Sequence, residues 1–148
     1  MTIFCITAAV VFALDLLTKH LVSSGMELGS SITVVPGVFE LTYIRNTGAA
    51  WGVLADKQFL LQILTAVLLL AVIIYVIVKR RSLSRPELIS LALIIGGGIG
   101  NFISRAVSGY VVDFFNIHII PVFNVADIGI TIGCALLIIS VFLGGKKA

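Results

Sequence analysis

Between Phe59 and Val78 the chain reads FLLQILTAVLLLAVIIYVIV, and Lys79-Arg80-Arg81 follows at once. An uncharged run of this length suits the roughly 20 helical residues needed to cross a hydrocarbon core about 30 Å thick. The basic triplet at its end is the kind of flank that stays on the cytoplasmic side. Working outward, three further stretches are long and apolar enough to do the same: Thr2 to Val22, Leu88 to about Ala106, and about Asn124 to Leu143.

Composition agrees. Of 148 residues, 59% are hydrophobic and 11% charged, and the mean hydropathy is +1.19. Soluble domains carry about 25% charged residues, so these charges are too few to coat a globular surface. The formal net charge of +3 is placed as a topology signal, not as a nucleic-acid patch: Lys79, Arg80, Arg81 and Arg85 share one connector, and Lys146 and Lys147 close the sequence. Cys5 and Cys134 lie in apolar runs and fit no disulfide framework or metal spacing. The first segment is read as a retained helix, because no basic residue precedes it and Asp15 and Lys19 fall inside its far end.

With the basic connector and tail inside, the N-terminus is inside too, and Ser23–Gln58 and Val107–Phe123 are outside. The first outer connector is too long for a bare loop. Ile32-Thr33-Val34-Val35, the turn Pro36-Gly37 and Val38 to Ile44 predict a hairpin-like pair of strands. Asn46-Thr47-Gly48-Ala49-Ala50-Trp51-Gly52 follows, with Trp51 suited to anchor at an interface. The fold expected is an all-α membrane protein, a single domain over 1–148. It has four transmembrane helices (about 2–22, 59–78, 88–106 and 124–143) and a small extracytoplasmic β-strand cradle over about 30–57.

Ionisable groups inside spans are costly and point to function. Asp15 and Lys19 are four apart on one helix face, where an ion pair would also anchor the helix end. Asn101 and Arg105 repeat that spacing after Gly96-Gly97-Gly98-Ile99-Gly100, a run that permits close helix approach; Gly129 and Gly133 are a second such pair. Asp127 falls in the first turn of the fourth helix, where an acid complements the dipole, with Asn124 placed to cap it. Asp113, in Tyr110-Val111-Val112-Asp113-Phe114-Phe115, has no comparable structural reason. In the expected topology Asp15, Lys19, Asn101, Arg105, Asp113, Asn124 and Asp127 all converge toward the outer side, from three helices and two loops.

His20 and His118 stand alone, and no metal or nucleotide motif is present, so no cofactor is expected. Lys19 could in principle serve as base to Ser23 or Ser104. Two carboxylates remain the stronger reading. Acids sharing a poorly solvated site do not both ionise cheaply, so one keeps a proton while the other activates water. The helix N-terminus favours charge on Asp127, and apolar neighbours favour the proton on Asp113.

These residues fall into four motifs: Asp15-Leu16-Leu17-Thr18-Lys19; Arg45-Asn46-Thr47-Gly48-Ala49-Ala50-Trp51-Gly52; Gly97 to Arg105, running on to Gly109-Tyr110-Val111-Val112-Asp113-Phe114; and Phe123-Asn124-Val125-Ala126-Asp127. In this order and spacing the chain resembles the lipoprotein signal peptidases (signal peptidase II), over nearly its whole length. The resemblance implies that Asp113 and Asp127 are a catalytic aspartyl pair. It also implies that Asp15, Lys19, Asn46, Gly97, Asn101, Arg105 and Asn124 shape the site and hold substrate. The implied substrate is a diacylglyceryl-modified prolipoprotein, cleaved just before the lipid-modified cysteine by a monomer among the lipids of the bacterial inner membrane. At one position the chain departs from the family: Ser104 stands where the family usually has an aspartate.

A small ion-coupled transporter is the alternative from another class, since intramembrane Asp and Lys also mark ion paths. It would need polar groups continuing to the inner face, and the inner halves of these spans carry none.

Overall fold

The computed structural model describes residues 1–48 and 57–144. Ala49-Ala50-Trp51-Gly52, Asp56 and Lys146-Lys147 lie outside the described residues. Among the described residues the order is α1 (Thr2–Gly25), β1 (Ser31–Val35), β2 (Phe39–Asn46), α2 (Gln58–Lys79), α3 (Arg85–Ser108), β3 (Val111–Asn116) and α4 (Val125–Gly144). All four helices are long and apolar enough to cross a membrane. Leu17, Leu21, Val67, Leu68, Val78 and Phe142 are exposed on their flanks. An apolar surface of this extent suits lipid rather than water.

The helices gather around α3, which packs on α4, α1 and α2. Consecutive glycines turn three of its faces to three neighbours. A Cβ on Gly96 would meet the Ala8 carbonyl of α1 at 2.6 Å, one on Gly98 would meet Leu69 of α2 at 2.6 Å, and one on Gly97 would run into the Ala126 carbonyl of α4. Successive residues on a helix point about 100° apart, so three glycines in a row let three helices approach at once. Gly133 of α4 makes the reciprocal approach, its Cβ position lying 2.7 Å from the Ser90 carbonyl. The end of the bundle near the α2–α3 turn is closed by Val76, Leu88 and Leu91, with Phe4, Val72, Leu83 and Leu137 around them.

At the opposite end lies an antiparallel sheet of order β1-β2-β3. The first two strands form the expected hairpin. The third was not anticipated: Val111–Asn116 pairs with β2, with Ile44 opposite Asp113 and Asn46 opposite Val111. Its partner is distant in sequence, so no turn signal announces the pairing. Alternation along β3 then does the positioning. Val112 and Phe114 point to one face and pack with Tyr43 and Val22, which leaves Asp113 on the other.

A candidate two-aspartate site

Asp113 and Asp127 line one cavity of about 370 Å³ together with Asn46, Asn101, Arg105 and Asn124. Asp113 arrives on β3. Its Oδ2 accepts a hydrogen bond from Asn46 Nδ2 at 2.8 Å, a diagonal cross-strand contact. Its Oδ1 accepts from Asn124 Nδ2 at 2.5 Å.

Asp127 arrives on the first turn of α4, where a reciprocal cap holds it. Its backbone N–H donates to Asn124 Oδ1 at 3.0 Å, and its Oδ2 accepts from the Asn124 N–H at 3.2 Å. This is the capping box with Asn and Asp in the usual Ser and Glu places. Asp127 Oδ1 accepts from Asn101 Nδ2 at 2.8 Å. One fully buried side chain, Asn124, therefore touches Asp113 directly and caps the turn that carries Asp127.

Asp15 and Lys19 stand behind the cavity wall. Lys19 Nζ donates to Asp15 Oδ2 at 2.6 Å, to Asn101 Oδ1 at 2.8 Å and to Ser104 Oγ at 3.3 Å. Asp15 Oδ1 accepts the Ala126 N–H at 3.0 Å, so an acid of α1 supplies an acceptor to an N–H that the helix itself leaves unpaired at the start of α4. Both side chains are buried, Asp15 at 0% and Lys19 at 5% exposure. A pair so buried holds only with every lone pair engaged. The chain Lys19–Asn101–Asp127 also sets the amide of Asn101: its oxygen faces the ammonium and its NH2 faces the carboxylate.

Arg105 lines the cavity, but neither Asp15 nor any other acid among the described residues partners it. Its Nη2 donates to the Gly48 carbonyl at 2.9 Å and so ties the end of α3 to the segment leaving β2. Ser104 faces Lys19 rather than Arg105, and its hydroxyl donates to the Gly100 carbonyl at 2.8 Å. Gly97 does not line the cavity; it seats the first turn of α4 by approaching Ala126.

Burial holds the Asp113 carboxyl up at a pKa of about 6, with the charge of Asp127 adding to the rise and the bonds from Asn46 and Asn124 opposing it. The carboxyl can thus hold a proton at a pH where an ordinary aspartate has lost it.

Sequence reasoning missed several residues. Ile120, Pro121 and Val122, with Phe123 of the last motif, form one cavity wall and Ile130 and Thr131 another. Thr131 lies one turn after Asp127 on the same face, a spacing that could have shown it. The Ile120–Phe123 wall follows from Phe123 bridging Phe115, a contact no local pattern announces.

Comparison with known proteins adds a separate line. The family model described as "Signal peptidase (SPase) II" matches residues 7–143. A lipoprotein signal peptidase of Brevibacillus brevis (strain 47) is 45% identical over 146 residues, covering 97% of each chain. Two solved structures, both described as a bacterial membrane enzyme, share the fold. One is 33% identical with a TM-score of 0.91, covering 100% of this chain and 93% of the other. The second is 34% identical with a TM-score of 0.85, covering 95% and 93%.

Proposed function

The chain belongs to the signal peptidase II family of proteases, and on that premise we propose that it is an aspartyl endopeptidase whose catalytic pair is Asp113 and Asp127. Its substrate is a prolipoprotein carrying a diacylglyceryl group on cysteine, and the bond cut is the one just before that cysteine. The observation that carries this reading is the shared contact of Asn124, which ties both aspartates into one cavity.

The reaction runs without a cofactor. A water between the carboxyls attacks the scissile carbonyl and gives its proton to Asp127, whose two oxygens are held by Asn101 and the Asn124 N–H. Protonated Asp113 donates to the carbonyl oxygen, which becomes the hydroxyl of a tetrahedral intermediate. That intermediate collapses as its C–N bond breaks and the proton on Asp127 passes to the leaving nitrogen. The other proton returns to Asp113. The signal peptide leaves with a new carboxyl group, which ionises in water, and the lipid-modified cysteine is left with a free amine. The proton belongs to the pair, so the roles are those of one resting state.

The support for a membrane-facing site is positional. The cavity lies at the sheet end of four spans, where lipid and water meet. The same charge placement that orients the sequence puts both termini in the cytoplasm and the sheet outside the inner membrane. Asn46, Asn101, Arg105 and Asn124 shape the cavity and bind substrate, Asp15 and Lys19 fix α4 and Asn101, and Gly97 seats α4. An ion path is not supported: below the site lies the apolar Val76–Leu88–Leu91 cluster, and buried Ser90 beside it spends its hydroxyl on the Pro86 carbonyl. Asp113→Asn or Asp127→Asn tests the assignment: each is expected to abolish signal-peptide release while the variant still folds and binds substrate. Cleavage retained in either would overturn it.

A further inference from the structure

At the end of the molecule far from the cavity, α2 turns into α3 and carries Lys79, Arg80, Arg81 and Arg85, all exposed. Among the described residues none of the four has a carboxylate within 4.0 Å. The acid nearest in sequence is engaged elsewhere: Glu87 Oε2 accepts from the Ser84 N–H at 2.7 Å and from its hydroxyl at 2.6 Å, completing the capping box of α3.

The turn is also ordered. The Ser82 N–H, Ser82 Oγ and Leu83 N–H all end on the Lys79 carbonyl, at 2.8, 3.0 and 3.1 Å. Leu83 is packed against the Val76–Leu88–Leu91 cluster. Just before it, Ile74, Ile77 and Val78 are exposed at 51, 57 and 70% along one face of α2.

A topology signal needs only positive charge on one side of the membrane. It does not need four cations on a pinned turn, with the local acid withdrawn and an apolar helix face beneath. We propose that this turn is a binding site for the phosphate of anionic glycerophospholipids, with their acyl chains lying along Ile74, Ile77 and Val78. Guanidinium groups grip phosphate through paired N–H donors, and basic residues beside a span each contribute about 1 kcal/mol toward anionic lipid, or about fivefold in affinity. The site does not depend on the peptidase reading.

The test is native mass spectrometry of the full chain in non-ionic detergent, titrated with phosphatidylglycerol, cardiolipin or phosphatidylcholine of matched acyl chains, and separately with inorganic phosphate. Phosphatidylglycerol and cardiolipin are expected to bind at least about tenfold tighter than phosphatidylcholine. Arg80→Gln/Arg81→Gln should weaken that binding about thirtyfold, Arg80→Lys/Arg81→Lys, which keeps the charge and loses the paired donors, should weaken it by less, and Lys57→Gln at the sheet end should change nothing. If the double Gln variant does not fold, Arg81→Gln alone and the lipid series on the unaltered chain decide. Phosphatidylcholine binding as tightly, undiminished binding by folded Gln variants, equal loss in Lys57→Gln, or full competition by inorganic phosphate would each overturn the proposal. Signal-peptide release in detergent should be unchanged in Arg80→Gln/Arg81→Gln, which separates this site from the catalytic one.

Discussion

Asp113 has two valines before it and two phenylalanines after, and strand alternation separates it from two of them: Val112 and Phe114 pack against Tyr43 and Val22 while the carboxyl enters the cavity. Burial, helped by the charge of Asp127 and opposed by the bonds from Asn46 and Asn124, raises its pKa to about 6. A raised acid is protonated below that pH and loses its proton as pH rises through it, so the pair should lose its proton donor on the alkaline side. Carboxyl-resolved NMR titration of the free enzyme should find Asp113 half-protonated near pH 6. Asp127→Asn should lower that value, because the charge of Asp127 is one of the groups raising it. No change in Asp127→Asn would mean that the two carboxyls do not sense each other. Lys19 gives a second prediction at this scale. Its three bonds go to Asp15, Asn101 and Ser104, so Lys19→Met strands a buried carboxylate and should destabilise the protein by about 3–5 kcal/mol. Adding Asp15→Asn should restore part of that loss, read as thermal unfolding in detergent. A single variant as stable as the parent would show the pair to be dispensable.

The elements were legible to different depths. Each span announced itself because hydropathy over a helix length is a local signal, and so did the β1–β2 hairpin through Pro36-Gly37. β3 did not, since Val111–Asn116 is short, contains an acid and an asparagine, and pairs with a strand far back in the chain. The same holds inside the site. The Asp15–Lys19 spacing was readable on one helix, whereas the bond from Ala126 N–H to Asp15, the tie from Arg105 to Gly48 and the turn of Ser104 toward Lys19 exist only once the helices pack. Packing also gives the glycines separate duties. Gly97→Ala would push a methyl group into the Ala126 carbonyl and displace the turn carrying Asp127. It should reduce kcat by at least about tenfold, since small misplacements of reacting groups are costly. Gly25→Ala, where a Cβ meets nothing within 4 Å, should leave kcat unchanged. Equal effects in steady-state assays would contradict the packing account.

Among the described residues the buried charged groups gather at one end of the bundle, under the sheet, and the Val76–Leu88–Leu91 cluster fills the other. That asymmetry gives the protein a direction in the membrane. On the proposed orientation, with both termini in the cytoplasm, a cysteine replacing exposed Ser31 should react with a membrane-impermeant thiol reagent from outside intact cells. One replacing Ser82 should react only after the membrane is opened, and the reverse pattern would invert the topology. Whether Asp113 and Asp127 together hydrolyse a prolipoprotein is decided by incubating the purified protein with a diacylglyceryl-modified prolipoprotein and measuring release of the signal peptide. The parent enzyme should release it, and Asp113→Asn and Asp127→Asn should each lose about 10²–10⁴-fold or more of that activity while still binding substrate. No release by well-folded parent protein from several such substrates, or release that survives either substitution, would contradict the two-aspartate assignment.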